Sequence, residues 1–203
     1  MTPKHHIVFL TGAGISQESG IRTFRDSNGL WTNHKLEEVA SPEGFEKNPQ
    51  LVLDFYNARR RQLDEVEPNE AHHLIAQLET KYNVTVITQN IDDLHERAGS
   101  TNVLHLHGEL RKCRSSKNPN LIYTCTQDIK LGDLASDGNQ LRPHIVWFGE
   151  AVTEIEKAIA ITQSADLFVI VGTSMVVHPA ASLLLAVPFD AQTVYIDTNP
   201  DVE

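Results

Sequence analysis

Six short apolar runs set the pattern of this chain: IVFLTGAG (7–14), VTVITQN (84–90), VLHLHGE (103–109), HIVWFGE (144–150), LFVIVGTS (167–174) and TVYIDTN (193–199). Each is rich in apolar and β-branched residues and gives way to Gly, Asn or Thr. Continuous apolar runs of this length predict strands buried on both faces, as in a parallel sheet. Stretches with helical periodicity lie between them at 49–66, 70–81, 92–98 and 153–163. The alternation predicts an α/β fold, a doubly wound parallel sheet (Rossmann-like) with a small inserted module. A single domain is expected over 1–203, with its core at about 5–32, 84–110 and 143–203. The small module then takes a helical part, about 33–80, and a polar insertion, 111–142, that leaves the sheet after Leu110 and returns at Pro143.

In doubly wound sheets ligands sit beyond the carboxyl ends of the strands. Five of those ends here, GAG, TQN, HGE, GTS and DTN, are polar or glycine-rich, which predicts a site. Composition narrows its character. The chain has 203 residues, 40% hydrophobic and 22% charged, the profile of a globular domain. Its formal charge of −10 argues against a phosphate backbone as partner, so no nucleic acid is expected. No apolar stretch approaches the ~20 residues of a membrane span, and no signal peptide is read at the N-terminus. The two cysteines, Cys113 and Cys125, are too few for a disulfide scaffold and fit a reducing, cytoplasmic setting.

The first strand ends in GAGISQESG, where Gly12 and Gly14 permit a sharp turn and close approach to a pyrophosphate before a helix N-terminus. The third glycine of the dinucleotide fingerprint is replaced by Gln17, and VTVITQN ends in Asn90 rather than an acidic residue. The loop therefore reads either as nucleotide-binding or as a tight strand–helix turn. IRTFRDSNGLW, with Phe24, Arg25 and Trp31, reads as a lid or as a surface loop. Gln89, Asn90 and Asp92 either cap a helix or recognise a polar ligand. His105 and His107 share one strand face. A metal pair there lacks a third ligand; the readings left are a general base at His107 and structural histidines.

FYNARRRQL (55–63) is read by helical phase. Val52, Phe55, Leu63 and Val66 form one stripe, Arg59 falls inside it with Tyr56 as neighbour, and Arg60 and Arg61 are expected in solvent. A half-buried Arg59 needs either a structural carboxylate or an anionic ligand.

GAGISQESGIRTFRD, TQNIDDLHERAG, HLHGEL, RPHIVWFGE and VGTSMVVHPAA, in this order, resemble the sirtuins, NAD-dependent protein lysine deacylases, over about residues 7–200. The resemblance implies NAD as cofactor and acylated-lysine proteins as substrates. It implies that Gly12, Ala13, Gly14, Ile15, Phe24, Arg25 and Trp31 cover the pyrophosphate and nicotinamide ribose. Gln89, Asn90, Ile91 and Asp92 would hold the ribose and carboxamide, and Gly172, Thr173, Ser174, Asn199 and Pro200 the adenosine end. His107, aided by Asn90, would be catalytic. Val146 and Phe148 would receive the peptide as an added strand. The products implied are nicotinamide, free lysine and O-acyl-ADP-ribose. Tyr56 and Arg59 match a Tyr-x-x-Arg pair that marks pockets for succinyl or malonyl groups in the subgroup most resembled. Two departures stand out. Most sirtuins hold zinc with four cysteines in the insertion; only Cys113 and Cys125 are present, so no zinc is expected. The family also usually continues past the TNP loop with an element closing the adenine side, whereas this sequence stops at Glu203, so a fragment with weakened cofactor affinity is the expectation. An NAD glycohydrolase or ADP-ribosyl transferase on the same fold, and a non-catalytic NAD-binding module, are the competing readings.

Overall fold

The computed structural model describes residues 5–21, 30–31 and 34–198, with backbone only at Leu30 and Trp31. The chain runs through β1 (His6–Thr11), a 3-10 turn (Ala13–Ser16), β2 (Leu30–Trp31), β3 (His34–Lys35), α1 (Leu36–Val39), α2 (Pro42–Lys47), α3 (Pro49–Gln62) and α4 (Glu70–Leu78). It continues with β4 (Asn83–Thr88), α5 (Leu94–Arg97), β5 (Val103–His105), β6 (Gly108–Ser115), β7 (Ile122–Thr124), β8 (Leu141–Ile145), α6 (Ile155–Thr162), β9 (Leu167–Val171), a second 3-10 segment (Ala180–Ala186) and β10 (Gln192–Ile196).

Five strands form a parallel sheet in the order β10-β9-β1-β4-β5. Alternation along β1 explains its two covered faces. Val8 and Leu10 pack with Phe168, Ala158 and Leu183 on one side, while Ile7 and Phe9 pack with Val86, Val169 and Ile75 on the other. The α/β class expected from the apolar runs is the fold observed. From β1 the chain builds towards β4 and β5 on one side and β9 and β10 on the other, so the crevice beyond β1 is a topological switch point.

One expected strand belongs elsewhere. HIVWFGE does not join the parallel sheet; only His144 and Ile145 are in a strand, β8, and it pairs antiparallel with β6 in the order β7-β6-β8. Its apolar residues Ile145 and Trp147 fill a second core with Val52, Phe55, Tyr56 and Leu110. Gly108 already lies in this small sheet, so the chain leaves the parallel sheet earlier than Leu110 and is still outside it at Pro143. Hydrogen bonds knit the polar insertion together. Ser115 Oγ donates to Asp137 and accepts from the Lys117 and Asn118 backbone, and Gln140 accepts from Gly132 N and donates to the Lys130 carbonyl.

α3 and α4 start where sequence chemistry permits. Asn48 caps Leu51 N ahead of Pro49 at the first helical position, and Asn69 caps Ala71 N. α4 brings His72 against His95 of α5, with ring centroids 4.9 Å apart. Both are buried. Burial, reinforced by repulsion from neighbouring imidazoles, lowers their pKa values to about 4 for His72 and about 3 for His95. The unfolded chain therefore binds protons that the folded chain refuses. Stability is expected to be full above about pH 6.5 and to fall by several kcal/mol as pH drops towards 4. Denaturant melts from pH 7 to 4 test this; in His72→Gln the drop is expected to be smaller.

Candidate functional site at the carboxyl ends of the strands

The loop after β1 lies against the end of β9. Gly12 N donates to Val171 O (3.0 Å) and Gly14 N to Gly172 O (2.8 Å). A Cβ on Gly12 would meet the Thr173 side chain at 2.6 Å, and one on Gly14 would meet Gly172 Cα at 2.7 Å. The glycines thus answer first to contact between two loops. The helix expected after them is a single 3-10 turn, Ala13–Ser16, ended by turns that close at Gly20, φ +95°. A left-handed residue there does not continue a helix.

The end of β4 supplies a dense polar arrangement. Asn90 Nδ2 donates to Gly12 O (3.1 Å) and Ser16 Oγ (3.0 Å), and Ser16 Oγ donates to Asp92 Oδ2 (3.0 Å). With its amide nitrogen engaged, Asn90 offers the cleft its carbonyl oxygen as an acceptor. Asp92 is buried, and burial raises its carboxyl pKa even though Leu94 N and Ser16 donate to it. Beneath this layer, Thr11 Oγ1 donates to Thr88 Oγ1 (2.9 Å), so it must accept from His95 Nε2 (3.0 Å). Thr88 Oγ1 in turn accepts from Asn90 N (3.0 Å), and Gln89 Nε2 donates to Thr173 Oγ1 (3.0 Å).

His107 and His105 have different chemistry. His107 Nδ1 lies 3.0 Å from the Gln89 carbonyl, which can only accept. Nδ1 therefore carries the proton and Nε2 is the basic nitrogen, an assignment that follows from the partner. Burial lowers the His107 pKa, partly offset by the Gln89 carbonyl. His105 meets the Asn90 carbonyl (2.9 Å) and Glu96 Oε1 (2.8 Å). Burial pulls its pKa down, but Glu96 outweighs this and raises it; because both partners only accept, both ring nitrogens are placed to donate, which does not suit a base. If His107 is the base, the acid limb of kcat/KM is expected to lie below the ordinary imidazole value of about 6.5. A limb at or above that value would contradict the assignment.

α3 is buried along two stripes. Val52, Phe55, Tyr56 and Leu63 face the second core, and the Arg59 guanidinium lies 4.5 Å from the Phe55 ring centre. Burial lowers the Arg59 pKa to about 10, with Tyr56 opposing the shift, so it remains cationic at neutral pH. Leu53, Asn57 and Arg60 form the other stripe, against the small module. Arg60, expected in solvent, is 1% exposed; it donates to the Leu110 carbonyl and Asn57 Oδ1, both at 2.8 Å. The module supplies acceptors that make this polar stripe a buried one. Arg61 is exposed and pairs with Asp128.

Tyr56 is fully buried, which raises its phenol pKa, and its oxygen accepts from Trp147 Nε1 (3.0 Å). Because indole only donates, the Tyr56 proton points away from Trp147. Trp147 is itself held: the Arg142 guanidinium sits 3.2 Å from its ring centre, and its backbone N donates to Glu150. Glu150 also accepts from Arg142 and Arg114.

A cleft of about 1150 Å³ runs between the strand ends and the small module. It brings together Gly12, Ala13, Gly14, Ile15, Gln89, Asn90, Ile91, Asp92, His107, Tyr56, Arg59, Val146, Phe148, Gly172, Thr173 and Ser174. Phe24, Arg25, Asn199 and Pro200 lie outside the described residues, as does the Trp31 side chain. Val146 N and Phe148 N donate to His107 O and Ala40 O, so an added strand would meet carbonyls rather than these donors. Ser16, Trp147 and Glu150 also line the cleft and were not singled out from sequence. Ser16 follows the glycine loop directly; nothing local marks Trp147 or Glu150.

The profile of the Sir2 family matches residues 12–179. The chain belongs to the Sir2 family. It is 60% identical over 192 residues to an NAD-dependent protein deacylase of Helicobacter pylori, covering 95% of this chain and 84% of that one. It is 57% identical over 201 residues to an NAD-dependent protein deacylase of Bacteroides thetaiotaomicron, covering 96% and 86%. Among solved structures, a Sir2 homologue in complex with NAD superposes with a TM-score of 0.86 at 41% identity, covering 98% and 81%. A Sir2 protein with a p53 peptide and NAD superposes with a TM-score of 0.77 at 33% identity, covering 98% and 84%.

Proposed function

We propose that this Sir2 chain is an NAD-dependent protein-lysine deacylase that accepts succinyl- and malonyl-lysine alongside acetyl-lysine. The observation that carries the reading is the placing of His107, with its tautomer fixed, in one cleft with Tyr56 and Arg59. Relatives named NAD-dependent protein deacylases at 60% and 57% identity support the activity, and a family complex containing a peptide supports a protein substrate.

The cleft fits NAD by its size and by its polar donors and acceptors at the strand ends. NAD supplies, when bound, the ribose carbon that receives the acyl oxygen and the nicotinamide that leaves. The chain's own residues then have separable tasks. The Asn90 side-chain oxygen would accept from a ribose hydroxyl, and Asp92, fixed by Ser16, would face the carboxamide end. Gly172, Thr173 and Ser174 line the adenosine end. His107 Nε2 takes the ribose hydroxyl proton and holds it in the cleft. Arg59 offers a fork of donors to an acyl carboxylate and Tyr56 its hydroxyl proton. Phe148, exposed at the cleft rim, and Val146 flank the lysine-bearing segment. Zinc has no part in this reading. Cys113 and Cys125 are two thiols only, and among the described residues no group of three or more His, Cys, Asp or Glu could hold a metal ion. No helix among the described residues is long and apolar enough to cross a membrane.

Nicotinamide release, measured with and without acyl-peptide, tests the reading against a glycohydrolase. Release is expected to require the peptide. Equal release without peptide would assign NAD hydrolysis instead.

A further inference from the structure

The side of α3 turned towards the small module carries a second cluster, built from Cys113, Cys125 and Arg60. The β6–β7 register sets Cys113 opposite Tyr123, and Cys125 N donates to Arg111 O (2.7 Å), continuing the ladder. Residues 113, 123 and 125 therefore project from one face of the hairpin, with the two cysteines on a diagonal. They pack in one cluster with Leu53 and Ile129, Cys113 buried and Cys125 partly exposed. The two thiols share that cluster closely enough for each to act on the other's ionisation, and as a thiol Cys125 donates to the Gln127 carbonyl (3.3 Å).

Arg60 is the independent observation. Its guanidinium is buried, two of its nitrogens serve Leu110 and Asn57, and Nη2 has no hydrogen-bond partner among the described residues. Both sulfurs lie within its field. A buried cation with an idle donor beside a thiol favours the thiolate. The contact from Cys113, with help from Arg60, pulls the Cys125 thiol down to about 7, while the same contact and burial push Cys113 up. The partly exposed cysteine is thus the nucleophile, and the buried one is the partner that resolves it.

We propose that Cys113 and Cys125 are a dithiol modification site, in which a hydroperoxide oxidises Cys125 and Cys113 closes an intramolecular disulfide onto it. The Cys125 thiolate attacks the terminal peroxide oxygen; the O–O bond breaks, an S–O bond forms, and the second oxygen leaves and is protonated, to water from hydrogen peroxide or to an alcohol from an organic hydroperoxide. Cys113 sulfur then attacks Cys125 sulfur, the S–O bond breaks, and the oxygen departs as water with the Cys113 proton. Two electrons pass from the thiols to the peroxide. Cys113 is buried, so the sulfur within its reach is that of Cys125. The product staples β6 to the end of β7 under α3.

The test uses the full chain, reduced and then exposed to hydrogen peroxide without other thiols. Intact mass is expected to fall by two hydrogens, and non-reducing peptide maps to show a Cys113–Cys125 link, both reversed by dithiothreitol. The melting temperature of the oxidised protein is expected to rise. In Cys113→Ser, dimedone is expected to trap a sulfenic acid at Cys125; in Cys125→Ser, Cys113 is expected to stay unmodified. Should either variant fail to fold, isotope-coded alkylation of the wild-type chain decides the order of oxidation. Persistence of both thiols, a link between chains, or oxidation of Cys113 first would overturn the proposal.

Discussion

His107→Ala is expected to lower deacylation by about 10²–10⁴-fold, the usual contribution of a positioned general base. The argument is geometric first. The Gln89 carbonyl fixes the proton on Nδ1, leaving Nε2 basic, and burial keeps the ring neutral at physiological pH. Alanine removes the base without touching the glycine loop or the Asn90–Ser16–Asp92 arrangement, so NAD affinity by calorimetry is expected to change little. His107→Gln, which retains polarity without a titrating nitrogen, is expected to be nearly as inactive. Activity within about tenfold of wild type in both variants would remove His107 from its role.

Arg59→Met is expected to reduce kcat/KM for a succinyl-lysine peptide by about 10²-fold or more, leaving acetyl-lysine within a few-fold of wild type. Losing one partner of a buried charge pair costs about 2–5 kcal/mol. Arg59 is held cationic on α3 at the cleft, and Tyr56, one helical turn earlier, has its oxygen engaged by Trp147 so that its proton is turned elsewhere. Methionine keeps much of the side chain's apolar length over Phe55. Tyr56→Phe is expected to act in the same direction but more weakly, as a neutral donor contributes less than a charged one. A parallel loss on both peptides would indicate a role in folding; undiminished succinyl activity would dismiss the pocket assignment.

Much of the fold was legible because buried parallel strands leave continuous apolar runs. VTVITQN and LFVIVGTS read directly as β4 and β9. HIVWFGE misled for a physical reason: an apolar run reports burial, not the layer that buries it, and Ile145 and Trp147 are buried by α3 and Leu110 rather than by the parallel sheet. Arg60 misled similarly. Helical phase locates one apolar stripe, whereas α3 has a second, polar stripe whose acceptors come from Leu110 and Ile129, distant in sequence. At the site, the glycine loop, the Gln89–Asp92 run and His107 stood out as local patterns at strand ends. The links that set their chemistry did not, since Ser16 reaches Asp92 across 76 positions and Trp147 reaches Tyr56 across 91.

Mass spectrometry of a succinyl-lysine peptide incubated with the full chain and NAD bears most directly on the proposed activity. Unmodified lysine peptide, nicotinamide and a succinyl ester of ADP-ribose are expected in equal amounts. Nicotinamide accompanied by plain ADP-ribose and intact succinyl-peptide would contradict it.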